Sequence, residues 1–176
     1  VGKTFVDTPY LGKLEQITSS ETSAEGSETS FTVGDETEHW TPAMGGTGLM
    51  ETLIQNASKS GARILETCNA WQPGAMSTAE KAFETWCEQQ EGNSRAKQHI
   101  LYDAVIAPWN TALTDDPEEG QISLTDGLKW VYQDCPWVDI EPIKNTIWAT
   151  DYPTSKARRF YLNQPNAAEN AWCSIN

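Results

Sequence analysis

From residue 14 to residue 106, short apolar runs alternate with helix-patterned segments, and this alternation limits the fold more than any other feature of the chain. Residues 14–20 (Leu-Glu-Gln-Ile-Thr-Ser-Ser) have the β-branched, apolar character of a strand. Phe31-Thr32-Val33-Gly34 is a second strand, which runs straight into Asp35-Glu36. Leu49, Met50, Leu53, Ile54 and Ala57 then recur at helical spacing, with Gly61 at the C-cap position. Residues 62–67 read as a strand. Ser77-Thr78-Ala79-Glu80 is a capping box that opens a helix carrying Phe83, Trp86 and Cys87. Residues 100–106 (Ile-Leu-Tyr-Asp-Ala-Val-Ile) complete the series as a further strand. Strands interleaved with helices predict an α/β domain whose sheet is mostly parallel and covered by helices.

The pattern changes after Pro108. Residues 110–121 are polar and acidic, and three short helices are predicted beyond them. These span 123–132 capped by Ser123, 139–148 capped by Asp139, and 153–163 begun at Pro153. Trp109, Trp130, Trp137 and Trp148 are expected to form the small core of this region. The predicted organisation is an α/β unit over 1–108, a helical unit over 109–164, and the start of another region over 165–176.

Composition narrows the function. No stretch approaches the ~20 consecutive apolar residues that span a bilayer, so no membrane partner is expected. Cys68, Cys87, Cys135 and Cys173 lack C-x-x-C spacing, and only His39 and His99 are available to join them. The expectation is reduced, buried thiols rather than zinc ligands. The formal net charge is −13, which taken alone argues against a nucleic-acid binder.

Asp35-Glu36 carries the clearest chemistry. Motors that hydrolyse ATP need one carboxylate beside hydrated Mg²⁺ and a second to orient and deprotonate the attacking water. A strand tip would hold both rigidly, with Asp35 serving the metal and Glu36 the water. The same pair also suits a strand that merely enters a solvated turn. Gly2-Lys3-Thr4 matches the tail of G-x-x-x-x-G-K-[ST], but the first glycine would precede residue 1, so a complete phosphate loop is not read here. Lys156, Arg158 and Arg159 form the densest basic cluster, either a solvated helix face or a contact for DNA phosphate or a neighbouring subunit.

Several strings resemble the large subunit of tailed-phage terminases. Phe31-Thr-Val-Gly-Asp-Glu-Thr-Glu-His-Trp40, preceded by Glu25-Gly26, is similar to that family's acidic strand motif. Ile64-Leu-Glu-Thr-Cys-Asn-Ala-Trp71 resembles the next strand and the coupling motif at its tip. Pro136-Trp-Val-Asp139 and Ala157-Arg-Arg-Phe-Tyr-Leu-Asn-Gln164 resemble the linker between motor and nuclease, and Ala171-Trp172 the approach to the nuclease.

The resemblance implies part of a P-loop NTPase of the additional-strand, catalytic-glutamate type, followed by a small helical linker subdomain. Asp35 becomes the Mg²⁺ carboxylate, Glu36 the catalytic base, and Thr67 and Asn69 the candidates for sensing the γ-phosphate, with Cys68 between them facing the core. The implied cofactor is Mg²⁺ with ATP. The implied partners are double-stranded DNA, a portal protein and a small terminase subunit. The implied assembly is a homo-oligomeric ring, working in the host cytoplasm while docked on a procapsid. Two other readings stay open: a different nucleic-acid-translocating ATPase such as a helicase, and a non-catalytic acidic interaction module.

Overall fold

The computed structural model describes residues 5–17, 24, 29–97 and 99–166. Gly2-Lys3-Thr4, Glu25-Gly26, Ala171-Trp172 and Cys173 lie outside the described residues. The chain is mixed α/β, with two small sheets and five α-helices among the described residues.

The first sheet is an antiparallel hairpin of β1 (Phe5–Thr8) and β2 (Gly12–Glu15). The strand expected over 14–20 therefore begins and ends earlier, because its register is set by pairing with β1. The second sheet is parallel: β3 (Phe31–Gly34) lies beside β4 (Arg63–Glu66), with Phe31 opposite Arg63 and Gly34 opposite Glu66. The crossover between them is α1 (Gly46–Ser60). Its buried stripe of Leu49, Met50, Leu53 and Ala57 packs on one face of the pair, while Ile54 faces outward. Gly61 ends α1 at φ 72°, and Ala62 N–H closes back on Ala57 O at 3.0 Å. At the other end Gly46 admits no side chain, because a Cβ there would sit 2.5 Å from Trp40 Cα.

α2 (Thr78–Gln90) starts where Ser77 Oγ accepts from Glu80 N–H. Glu80 spends both carboxylate oxygens on the preceding loop, at Gly74 N–H and Met76 N–H, each at 2.6 Å. Residues 100–106, expected as a strand, have no strand partner and form no regular element. Side-chain anchors hold them instead: Ile100 N–H donates to Gln89 Oε1 at 2.8 Å, and Tyr102 stacks on Trp86 with ring centroids 5.1 Å apart.

The helices after Pro108 are α3 (Leu124–Val131), α4 (Ile140–Ile147) and α5 (Thr154–Phe160), with Ser123 and Asp139 capping the first two as expected. Their core is Ala107, Leu124, Leu128, Ile147, Ala157 and Leu162. A fully buried Leu of this kind contributes roughly 1.5–3 kcal/mol. The four tryptophans expected as this core are on the surface. Trp109 is 66% exposed and Trp137 78% exposed, because leucine, isoleucine and tyrosine side chains already fill the space between the helices. Among the described residues no helix is long and apolar enough to cross a membrane.

Candidate functional site

The parallel pairing of β3 and β4 brings their C-terminal tips side by side. The ladder continues past the strands, from Thr67 N–H to Gly34 O at 2.9 Å and from Thr37 N–H to Thr67 O at 3.2 Å. Asp35 and Thr67 are thereby neighbours, and Thr67 Oγ1–H donates to Asp35 Oδ1 at 2.5 Å. The Glu36 N–H donates to the same oxygen at 3.1 Å. One oxygen of Asp35 is thus fixed by the protein, on a residue that is itself exposed.

Glu36 turns the chain. Its backbone is left-handed, at φ 53° and ψ 43°, a conformation that costs a non-glycine residue on the order of 1–2 kcal/mol. The reversal ends the strand direction, leaves the Glu36 residue exposed, and starts the short turn Thr37–His39. That turn folds Glu38 inward, where its side chain is 0% exposed. Asn69 Nδ2–H donates to Glu38 Oε1 at 3.1 Å. The start of α2 secures the far side of the turn, through Thr78 N–H to Trp40 O at 3.0 Å.

The expected residues are brought together in part, with Glu38 as a partner that was not among them. Thr67 meets Asp35, Asn69 meets Glu38, and Glu36 projects beside them. Cys68, expected to face the core, is exposed as a residue; Cys87 and Cys135 are half-buried. These three are free thiols but not the buried ones expected, since Cys68 lies past the end of β4, which stops at Glu66. Burial of its sulfur and the nearby Glu38 charge push the Cys68 thiol up, so it is not an activated nucleophile. Burial likewise pushes the Glu66 carboxyl up, opposed by the Thr37 hydroxyl beside it.

The basic cluster divides. Lys156 is exposed. Arg158 donates from Nη1 to Gln164 Oε1 at 2.8 Å and to Thr111 O at 3.4 Å. Arg159 Nε–H donates to Ala70 O at 3.0 Å, next to Asn69. Burial lowers the pKa of both guanidinium groups, and for Arg159 the Glu38 charge works in the opposite direction. Both arginines thus serve the fold, leaving Lys156 as the exposed cation of the cluster.

The run from Arg158 to Gln164 is a clasp. Leu162 O accepts from Ala107 N–H at 2.9 Å, Asn163 Nδ2–H donates to Val105 O at 2.9 Å, and the buried Gln164 Nε2–H donates to Pro108 O at 2.8 Å. Sequence reasoning missed Glu38 and Gln164 as anchoring residues. Glu38 gives no signal, since a glutamate in an acidic stretch looks solvated. Gln164 ends the most distinctive string of the chain, and that string was its signal.

Among the described residues no three His, Cys, Asp or Glu side chains converge to hold a metal. A hydrated Mg²⁺ needs less, since it keeps several waters and takes one or two carboxylates plus substrate phosphates. Asp35, exposed and oriented by Thr67, suits that role; a metal caged wholly by protein ligands does not fit.

The chain is similar to the Gene 13 proteins of Mycobacterium phage D29 and Mycobacterium phage L5. Each is 35% identical over 178 residues, an alignment that covers 93% of this chain and 30% of the phage protein. The chain therefore spans about 30% of the length of these curated relatives. No protein-family description matches it, and no solved structure does. Its recognised similarity is thus to bacteriophage proteins.

Proposed function

We propose that the chain is part of a terminase large subunit, the ATP-driven motor that moves double-stranded DNA into a procapsid. The observation that carries this reading is the joined tip of β3 and β4, where Thr67 orients Asp35 and Glu36 stands exposed beside it. Similarity to two longer bacteriophage proteins supports it.

In this reading the tip belongs to the larger P-loop sheet of the full-length protein. Mg²⁺ with ATP supplies the phosphoryl group and neutralises its charge. Asp35, with its Oδ1 fixed by Thr67 and the Glu36 N–H, would hold the hydrated metal. Glu36 orients the attacking water and accepts its proton. The left-handed turn at Glu36 presents the carboxylate without lengthening the strand. Thr67 and Asn69 report on the γ-phosphate through the carboxylates they bind, Asp35 and Glu38. Lys156 is the cation left free for DNA or a neighbouring subunit.

The test is Glu36→Gln in the full-length phage protein. DNA-stimulated ATP hydrolysis should fall by about 10²–10⁴-fold with nucleotide binding retained, the range expected for loss of a general base. Unchanged turnover sinks the assignment. A second reading, an acidic protein-binding module, draws on the exposed Trp109, Trp130 and Trp137 and on the net charge of −13. It predicts that neither Asp35→Asn nor Glu36→Gln alters any nucleotide-dependent property.

A further inference from the structure

Glu38 is a fully buried carboxylate served at one oxygen. Oε1 accepts from Asn69 and lies 3.7 Å from His39 Nε2, whereas Oε2 is buried without a hydrogen-bond partner. An arrangement of this kind is costly unless a positive charge lies close by. Arg159 brings a positive charge to the residue after Asn69 from a distant part of the chain. It is half-buried, the Glu38 charge works against the lowering of its pKa by burial, and its Nε–H is bonded to the carbonyl of Ala70. The next residue on α5, Phe160, sets its ring 6.4 Å from the imidazole of His39. The helical region therefore reaches the acidic turn and the β4 tip through Arg159 and Phe160.

Along the β4 tip the contacts follow in sequence. Thr67 donates to Asp35, Asn69 donates to Glu38, and Ala70 accepts from Arg159. We propose that Glu38 and Arg159 are positioning residues that tie α5 to the β4 tip, so that the placement of α5 sets the geometry of Thr67, Asp35 and Glu36. This deepens the packaging-motor reading and rests on it, since nucleotide turnover is the readout. Neither residue touches the reacting atoms. Their effect passes through Asn69 and Ala70, and a misplacement of about 1 Å at a catalytic group can cost about 10²-fold in rate.

The experiment uses the full-length phage protein with Mg-ATP and double-stranded DNA, and carries Glu36→Gln as a reference. Arg159→Ala and Glu38→Gln should each lower DNA-stimulated kcat by about tenfold or more, with KM for ATP little changed. The double variant should be no slower than the slower single one, because both act through the same link. Arg159→Lys, which keeps the charge, should retain more turnover than Arg159→Ala. Losses that multiply, a change confined to KM, or normal turnover in a folded Arg159→Ala would overturn the proposal. Glu38→Gln preserves size, so it decides the matter where Arg159→Ala fails to fold. The reference variant separates the two levels. If Glu36→Gln hydrolyses ATP normally, the catalytic reading falls and this inference with it. If Glu36→Gln is inactive while Arg159→Ala and Glu38→Gln are normal, only the positioning role falls.

Discussion

The helical region over 105–166 and the α/β region over 29–97 are held by different means. The helical region closes on itself. Leu124, Leu128 and Leu162 are fully buried between its own helices, and the clasp at 162–164 joins its two ends. The α/β region covers one face of its sheet. Leu49, Met50 and Leu53 pack beneath β3 and β4, while Phe31, Val33 and Leu65 on the other face are 54%, 56% and 47% exposed. Parallel strands are ordinarily covered on both faces, and two strands make a marginal sheet. The difference teaches that the linker-like part carries its own stability, while the part with the candidate chemistry draws its order from the tip contacts and α1. In the packaging-motor reading the open face meets other strands and helices of the longer protein.

Point substitutions can break this comparison. The largest effect is expected at Leu128→Ala, about 2–5 kcal/mol by denaturant unfolding, as for other buried leucines. Val33→Ala on the open sheet face should stay within about 0.5 kcal/mol. Equal costs at the two positions would mean that the β3–β4 face is covered after all.

A second pair compares tight glycines, one in each region. A Cβ at Gly127 would meet Thr111 Cγ2 at 2.3 Å, and one at Gly46 would meet the Trp40 backbone at 2.5 Å. Alanine at either should cost about 1–3 kcal/mol, the range for overpacking. Gly46→Ala should lie at the upper end, since backbone yields less than a threonine methyl, and a thermal melt of each variant measures the order.

The smallest effect concerns pH and the helical region alone. Burial by itself would raise the Asp115 carboxyl, but hydrogen bonds from Lys144 and Thr125 outweigh it and hold it below the ordinary range. A depressed carboxylate stabilises the fold above its unfolded value of about 3.9, and that stability is lost as pH falls through the folded value. The melting temperature of the helical region should fall as pH drops from about 5 towards 2, and Asp115→Asn should flatten that slope. An unchanged slope would show that the Lys144–Asp115 pair, 2.8 Å apart, adds nothing in solution.

How far the sequence carried differs in the same two regions. The caps at Ser123 and Asp139 placed α3 and α4 closely, because helix ends are fixed by short-range hydrogen bonds, whereas α5 starts after Pro153 as expected but ends at Phe160 rather than at 163. β3, β4 and the intervening α1 were also legible, from apolar spacing and Gly61. Residues 100–106 misled, since an apolar run cannot reveal whether a partner strand stands beside it. Leu101 ends 95% exposed, and the run is held by Gln89 and Asn163 instead. The tryptophans misled because size suggests burial, whereas the space between three short helices suits leucine and isoleucine. At the site, Asp35 and Glu36 were readable from their place after a strand. The bonds from Asn69 to Glu38 and from Arg159 to Ala70 were not, because residues far apart in the chain meet only after folding.

The clasp also sets how load passes through the molecule. Leu162, Asn163 and Gln164 are bonded directly to 105–108, so the chain enters and leaves the helical region at a single point. Tension applied across residues 105 and 166 is borne first by these few hydrogen bonds, and α3, α4 and α5 hang to the side, unstrained, like weight on a closed ring. The helices can then be carried as one rigid body while the chain on either side is pulled.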